Sequence, residues 1–354
     1  MQRLQQICAL GQQIWLDNLS HRLLATHHLA QLIRDAGVSG VTSNPAIFYQ
    51  AISQDPYYQD KLVPLRQSIA DGERRFEQLV LADVQAACDL LHELFIHSDK
   101  DKGYVSFEVS PRLADDSDAT LSAAKRLAAL IDRPNLMIKI PATAAGVVAL
   151  EEALVAGINI NATLLFSKQQ VQEVFTAYQR ALQRRQQQGL ANDSIRLVAS
   201  VFISRVDTLV DSLLPDTAAH LRGKIAIASA KAIYQYWQKH YDEAHFGVYL
   251  KNKAKAPRLL WASTATKNPT YSDVLYVESL IAPGTINTLA DATLMAFAEH
   301  GCAQLSMLQE SDIALQQLAS LQALGIDLVA VGEQLQQQGI ALFAQAFDKL
   351  LALM

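Results

Sequence analysis

Eight short apolar runs, rich in β-branched and large side chains, recur along the chain between longer amphipathic stretches. They fall at residues 14–19, 40–42, 104–109, 135–140, 158–166, 196–203, 258–262 and 275–281. Short apolar runs alternating with helical spacing predict parallel strands joined by helical crossovers. Eight such units favour a closed (β/α)8 barrel, the TIM-barrel class of α/β fold, over an open doubly wound sheet. No GxGxxG follows any of the runs, as the first turn of a dinucleotide-binding open sheet would require. Local signals sharpen the helices. Residues 144–156 read as one, with Gly157 as its C-cap. Ser167 can cap another reaching about Gln187, and a third runs from Thr217 to about His240. Asp115, Asp116 and Asp118 read as the acidic N-cap region of a helix over 119–131, rather than as a metal-binding run. Two regions exceed a minimal barrel. Residues 55–98 predict two helices between the second and third strands, and residues 290–354 predict three more, the last from about Asp327. With no Pro/Gly/Ser linker, residues 1–354 read as one domain, with 290–354 as its C-terminal helical extension. The final helix reads as packing back across the barrel in preference to forming an oligomer contact.

Composition excludes several functions. Half of the 354 residues are hydrophobic, ample for a large core, and this argues against disorder. Asp and Glu (35) outnumber Lys and Arg (30), giving a net charge of -5. That balance disfavours nucleic acid as a partner while allowing a local basic pocket. No run approaches the ~18 apolar residues of a membrane span, so no membrane partner is expected. The N-terminal MQRLQQICALGQQIW lacks a basic region followed by an apolar core, so no secretory signal is expected. Cys8, Cys88 and Cys302 are odd in number and far apart, which suggests no disulfide framework and a reducing cytoplasm. The nine histidines form no HExxH, no Cys/His ligand cluster is apparent, and no P-loop occurs. No metal or cofactor is expected. Paired His27 and His28, and His92 with His97, read as surface helix residues.

Catalytic groups of this architecture sit at the C-terminal ends of the strands. Three runs carry an ionisable residue inside otherwise apolar sequence: Asp17 after Ile-Trp-Leu, Glu108 in Val-Ser-Phe-Glu-Val, and Lys139 in Leu-Met-Ile-Lys-Ile-Pro. Each is costly to bury unless paired. Any one alone reads best as a structural ion or an edge charge. Three together, on the first, third and fourth strands, point to a cation and two carboxylates in the barrel mouth. An amine in such a place is a Schiff-base nucleophile toward a carbonyl substrate, with the carboxylates as proton carriers. Burial favours the neutral amine and neighbouring carboxylates favour the ammonium, a competition the sequence leaves open. Uncharged polar groups gather at the other strand ends. Thr42-Ser43-Asn44-Pro45 closes the second. Asn159, Asn161 and Thr163 alternate onto one face of the fifth, Ser200 and Arg205 end the sixth, and Ser263 to Asn268 follow the seventh. Amides and hydroxyls of this kind suit a polyhydroxylated ligand, and Arg205 with Lys267 suits a phosphate.

These segments carry a resemblance. IWLDNLS (14–20), GVTSNPAIF (40–48), VSFEVSPRLADD (105–116), RPNLMIKIPAT (133–143), GININATLLFS (157–167), VASVFISRVDTLVD (198–211) and LWASTATKNPTYSDVLYVESLIAPGTINT (260–288) resemble transaldolases, of the longer bacterial type, in family order from about residue 12 to the C-terminus. The resemblance implies an α/β barrel, a C-terminal helix near the active site, and a cofactor-independent class I aldol mechanism. It implies Lys139 as the Schiff-base lysine and Asp17 as the acid/base at the sugar C4 hydroxyl. Glu108 is implied as the carboxylate that works through a water during carbinolamine dehydration. Asn44, Asn161 and Thr163 would hold the dihydroxyacetone unit and that water, and Ser200 and Arg205 the hydroxyls and phosphate. Ser263 falls among the substrate-binding positions. Lys267 falls where short forms carry an arginine, and offers a point charge instead of a planar fork.

The expected activity is therefore transfer of a dihydroxyacetone unit from sedoheptulose 7-phosphate or fructose 6-phosphate to an aldose phosphate, in the non-oxidative pentose phosphate pathway. Sugar phosphates are the expected partners, with the chain a monomer or homodimer. The runner-up is a fructose 6-phosphate aldolase-like enzyme that releases free dihydroxyacetone. A non-catalytic sugar-phosphate-binding barrel is the third reading.

Overall fold

Seven of the eight apolar runs become strands, each continuous enough in large side chains to be covered on both faces. The computed structural model describes residues 1–354, the side chains of Glu243 and Ala244 excepted. The strands are β1 (Gln13–Asp17), β2 (Val38–Thr42), β3 (Tyr104–Glu108), β4 (Leu136–Pro141), β5 (Ile160–Leu165), β6 (Leu197–Phe202), β7 (Arg258–Ala262) and β8 (Thr285–Leu289). All are parallel and close in chain order into a barrel, with β8 pairing back onto β1.

The eighth strand corrects the sequence reading. Residues 275–281 hold a short helix, Leu275–Ser279, and the strand follows it. Tyr276, Val277, Leu280 and Ile281 are buried at spacings of three to four, which suits one helix face. Pro283 and Gly284, the latter at φ +78°, then turn the chain into Thr-Ile-Asn-Thr-Leu. A second correction falls at 217–240, where a 3₁₀ turn (Asp216–Leu221) and a helix (Ile225–His240) replace one long helix. Gly223 separates them at φ +70°, with the Tyr271 ring where a Cβ would stand.

Capping fixes the other helices as expected. Ser167 and Gln170 form a reciprocal capping box at the start of Lys168–Gln187. Asp116 caps Ser117–Ile131, and Asp327 caps Leu328–Leu351. Helices Pro56–Ser68 and Gly72–His97 fill the region between β2 and β3, after Pro45–Gln54. Asp291–His300, Ser311–Ala323 and Leu328–Leu351 follow β8. A helix before β1, Gln2–Ala9, was not anticipated.

The N-terminal end of the barrel is plugged. Trp15 is fully buried, Arg258 pairs with Asp101 at 2.6 Å, and Gln13 donates to the Asp101 carbonyl at 3.0 Å. The open end is therefore the C-terminal one. The last helix crosses it: the Gln336 side chain donates to the carbonyls of Ala142 (2.8 Å) and Leu164 (3.1 Å). Gly332 and Gly339 sit where a Cβ would stand 2.8 Å from Ser167 and 2.9 Å from Leu164, so small residues let the helix approach. The helix packs across the barrel, as its sequence suggested. No single described helix is long and apolar enough to cross a membrane. All three cysteines are free, and the described residues contain no group of three His, Cys, Asp or Glu able to hold a metal.

Candidate active site

Strand register decides which side chains meet. Asp17 stands beside Thr42, Thr42 beside Ser106, Glu108 beside Lys139, and Lys139 beside Asn161. Asp17, Thr42 and Glu108 are the last residues of their strands and Lys139 lies two from the end of its own, so these groups converge on the mouth, with Ser106 and Asn161 deeper in the barrel.

Lys139 is 5% exposed, and its Nζ donates to Glu108 Oε2 at 3.4 Å and to the Ser43 carbonyl at 3.2 Å. Burial pushes the Glu108 carboxyl up to about 7. Lys139 opposes the rise through charge and hydrogen bonding, and Asp17 adds to it. A carboxyl so placed exchanges a proton near neutrality. Asp17 lies at the cavity rim and accepts from Thr42 Oγ1 at 2.7 Å, and Thr42 in turn shares a hydrogen bond of 2.7 Å with Thr288. Burial raises Asp17 as well, against the charge of Lys139 and the hydrogen bond from Thr42.

Around these three the expected polar residues assemble, with differing freedom. Asn161 is fully buried; its NH2 donates to Ser106 (3.0 Å) and its oxygen accepts from Ser200 (2.6 Å). Thr163 Oγ1 and Glu108 Oε1 are buried with no hydrogen-bond partner among the described residues. Such atoms call for a polar ligand or a water. The Asn44 oxygen caps Pro45–Gln54, accepting from Ala46 and Ile47, so its NH2 is what it can offer a ligand. Ser263 holds an unusual φ of +54° and shares a hydrogen bond of 2.9 Å with Ser204. Arg205 lies 5.7 Å from the Phe202 ring, and burial lowers its guanidinium pKa. No carboxylate pairs with it among the described residues.

Asp17, Asn44, Lys139, Thr163, Ser200, Arg205, Ser263 and Lys267 line one cavity of about 390 Å³. Lys139, Arg205 and Lys267 face a single lining carboxylate, Asp17, an excess of positive charge that suits an anionic ligand. Glu108 lies behind, against Lys139. A larger cavity of about 600 Å³ adjoins across Asp17 and Ala290 but does not touch Lys139, so the chemistry belongs to the smaller. One expected group falls elsewhere. Asn159 precedes β5 and bonds the carbonyls of Pro134 and Leu136 and the Arg196 amide, toward the plugged end of the barrel.

The family described as Transaldolase/Fructose-6-phosphate aldolase matches residues 14–354. The chain belongs to that family. Over 349 residues it is 47% identical to a transaldolase of Neisseria meningitidis, covering 99% of this chain and 98% of the relative. A transaldolase of Thiobacillus denitrificans is 48% identical over 350 residues, covering 98% of each. Transaldolase 1 of Streptomyces coelicolor is 41% identical over 354 residues, covering 99% of this chain and 93% of the relative.

For a member of the transaldolase family, several groups at the cavity or against Lys139 have no signal in the sequence reading. Thr288 was missed because its strand was misplaced. The Ser43 carbonyl is a main-chain group with no side-chain signature. Phe343 stands 5.5 Å from Lys139 Nζ and lines the cavity with Leu342 and Ala346. In an amphipathic helix such residues read as core, and only the crossing of the helix over the mouth reveals them.

Proposed function

We propose that the protein is a transaldolase acting through a Lys139 Schiff base, carrying a dihydroxyacetone unit from sedoheptulose 7-phosphate or fructose 6-phosphate to glyceraldehyde 3-phosphate or erythrose 4-phosphate. The observation that carries this is the placing of one buried amine among Glu108, Asp17 and a cavity with Arg205 and Lys267 on its lining. Lys139 Nζ adds to the C2 ketone. Glu108, protonated below about pH 7, supplies through a water the proton on which the carbinolamine hydroxyl leaves. Asp17 takes the C4 hydroxyl proton as the C3–C4 bond breaks, and the electron pair is held as the enamine. An aldose phosphate departs, a second arrives, and the steps reverse. Asn44, Asn161 and Thr163 hold the three-carbon unit and the water. Ser200 and Ser263 bind hydroxyls, while Arg205 and Lys267 bind the phosphate, Lys267 as a point charge. Each step uses side chains of this chain alone, without metal or cofactor, compatible with a monomer or homodimer in the cytoplasm.

Borohydride reduction with fructose 6-phosphate tests the reading. It should leave the mass of one reduced dihydroxyacetone unit on Lys139, and none on Lys139→Met. No adduct on the parent protein would refute it. The family also includes aldolases that release free dihydroxyacetone, so release without an acceptor should be slow compared with transfer. Rapid release would favour that second activity.

A further inference from the structure

The cavity has a roof that no barrel strand supplies. Leu342, Phe343 and Ala346 line it from the helix Leu328–Leu351, with the Phe343 ring facing Lys139 Nζ. Phe343 is only half-buried: it packs against the core and also faces the cavity. Phe347, one turn on, is buried and meets the Phe76 ring edge-on at 6.1 Å. The helix is fastened on both sides of Phe343. Gln336 ties it to the ends of β4 and β5, and Arg112 pairs with Asp348 at 2.5 Å. Beyond, Arg66 Nε and Arg75 Nη1 donate to the Met354 carbonyl at 3.0 and 2.6 Å, and Arg66 Nη2 to the Leu353 carbonyl at 2.7 Å. Arg66 and Arg75 belong to Pro56–Ser68 and Gly72–His97, the helices inserted between β2 and β3. The insertion thus holds the roof, and the roof holds Phe343.

We propose that Phe343 is a specificity-determining residue whose ring, held over the Lys139 nitrogen, keeps water from delivering a proton to the enamine and so favours transfer over release. This deepens the Schiff-base reading above and rests on it. Release consumes one proton and one water. The proton adds to C3 of the enamine to give the iminium, water adds to C2, and the C2–N bond breaks. Dihydroxyacetone then leaves and the amine is restored as the ammonium. Transfer shares the later hydrolysis, because the new ketimine must also take up a water at C2; the two paths part at C3, which takes a proton in release and attacks the acceptor aldehyde in transfer. An aromatic face beside the nitrogen is compatible with the iminium charge and offers no conventional hydrogen-bonding atom to a water that would act as the proton donor.

The test compares Phe343→Ala, Phe343→Leu and Arg75→Ala with the parent. Free dihydroxyacetone is measured with fructose 6-phosphate alone, and transfer with an aldose phosphate present. The ratio of release to transfer does not depend on the fraction of protein that folds. Phe343→Ala should raise that ratio by about tenfold or more. Phe343→Leu, which keeps apolar cover, should fall between, and Arg75→Ala, which loosens the roof from outside the cavity, should move the same way. An unchanged ratio in Phe343→Ala, with the borohydride adduct still on Lys139, overturns the proposal. A parent protein that forms no adduct overturns the Schiff-base reading instead.

Discussion

Of all the site residues, Glu108 makes the most direct statement about pH. Its carboxyl is raised from 4.5 to about 7 because burial outweighs the attraction of Lys139. Below about 7 the group holds its proton, and under the proposed mechanism it can give that proton to the departing hydroxyl, whereas above 7 it cannot. Single-turnover formation of the adduct should therefore slow as pH rises through 7. Glu108→Gln should form it ~10²–10⁴-fold more slowly, without that inflection; quenching with borohydride across pH 5–9 reads both. The same residue shows what was legible beforehand. Asp17, Glu108 and Lys139 stood out because an ionised group in an apolar strand is expensive unless it is used. Thr163, Asn44 and Ser263 were each indistinguishable from turn or cap chemistry until the resemblance singled them out, and Asn44 does act as a cap. Phe343 had no signal at all, since its partner is 204 positions away in sequence (343 − 139).

Individual elements were read well where capping chemistry is local. Ser167 with Gln170, Asp116 and Asp327 each mark a helix start with a side chain that can reach an unpaired amide. The reading failed where two short apolar segments competed for one strand. Residues 275–281 are more hydrophobic than 285–289, and hydrophobicity alone preferred the wrong one. The turn at Pro283-Gly284 was the better guide, because it sets the chain direction into the sheet. Between elements, buried side chains that satisfy main-chain groups have no sequence pattern. Asn135 is fully buried and donates to the carbonyls of Cys88 (2.8 Å) and Gly103 (2.7 Å), joining the helix Gly72–His97 to the start of β3. Asn135→Ala removes both bonds and should cost ~1–3 kcal/mol. Urea unfolding followed by circular dichroism measures this, and a midpoint equal to the parent's would show that the bonds are replaced.

For the molecule as a whole, eightfold alternation made the closed barrel legible, whereas the fit of its interior was not. At Gly40 a Cβ would stand 2.5 Å from the Trp15 ring, which fills the lower barrel. Gly40→Ala should therefore lower stability by ~1–3 kcal/mol through overpacking, seen as a reduced thermal midpoint, and an unshifted midpoint would mean that the indole can move aside. The fastening of Leu353 and Met354 to Arg66 and Arg75 spans 279 to 288 positions. Contacts so distant in sequence raise the contact order of the chain, which slows folding. All eight strands precede residue 328, so the helix over the mouth is made after every strand. A chain halted before it would lack the cover that Leu342, Phe343 and Ala346 place over the Lys139 cavity. Arg66 and Arg75, made long before that helix, are the groups that hold its far end in place.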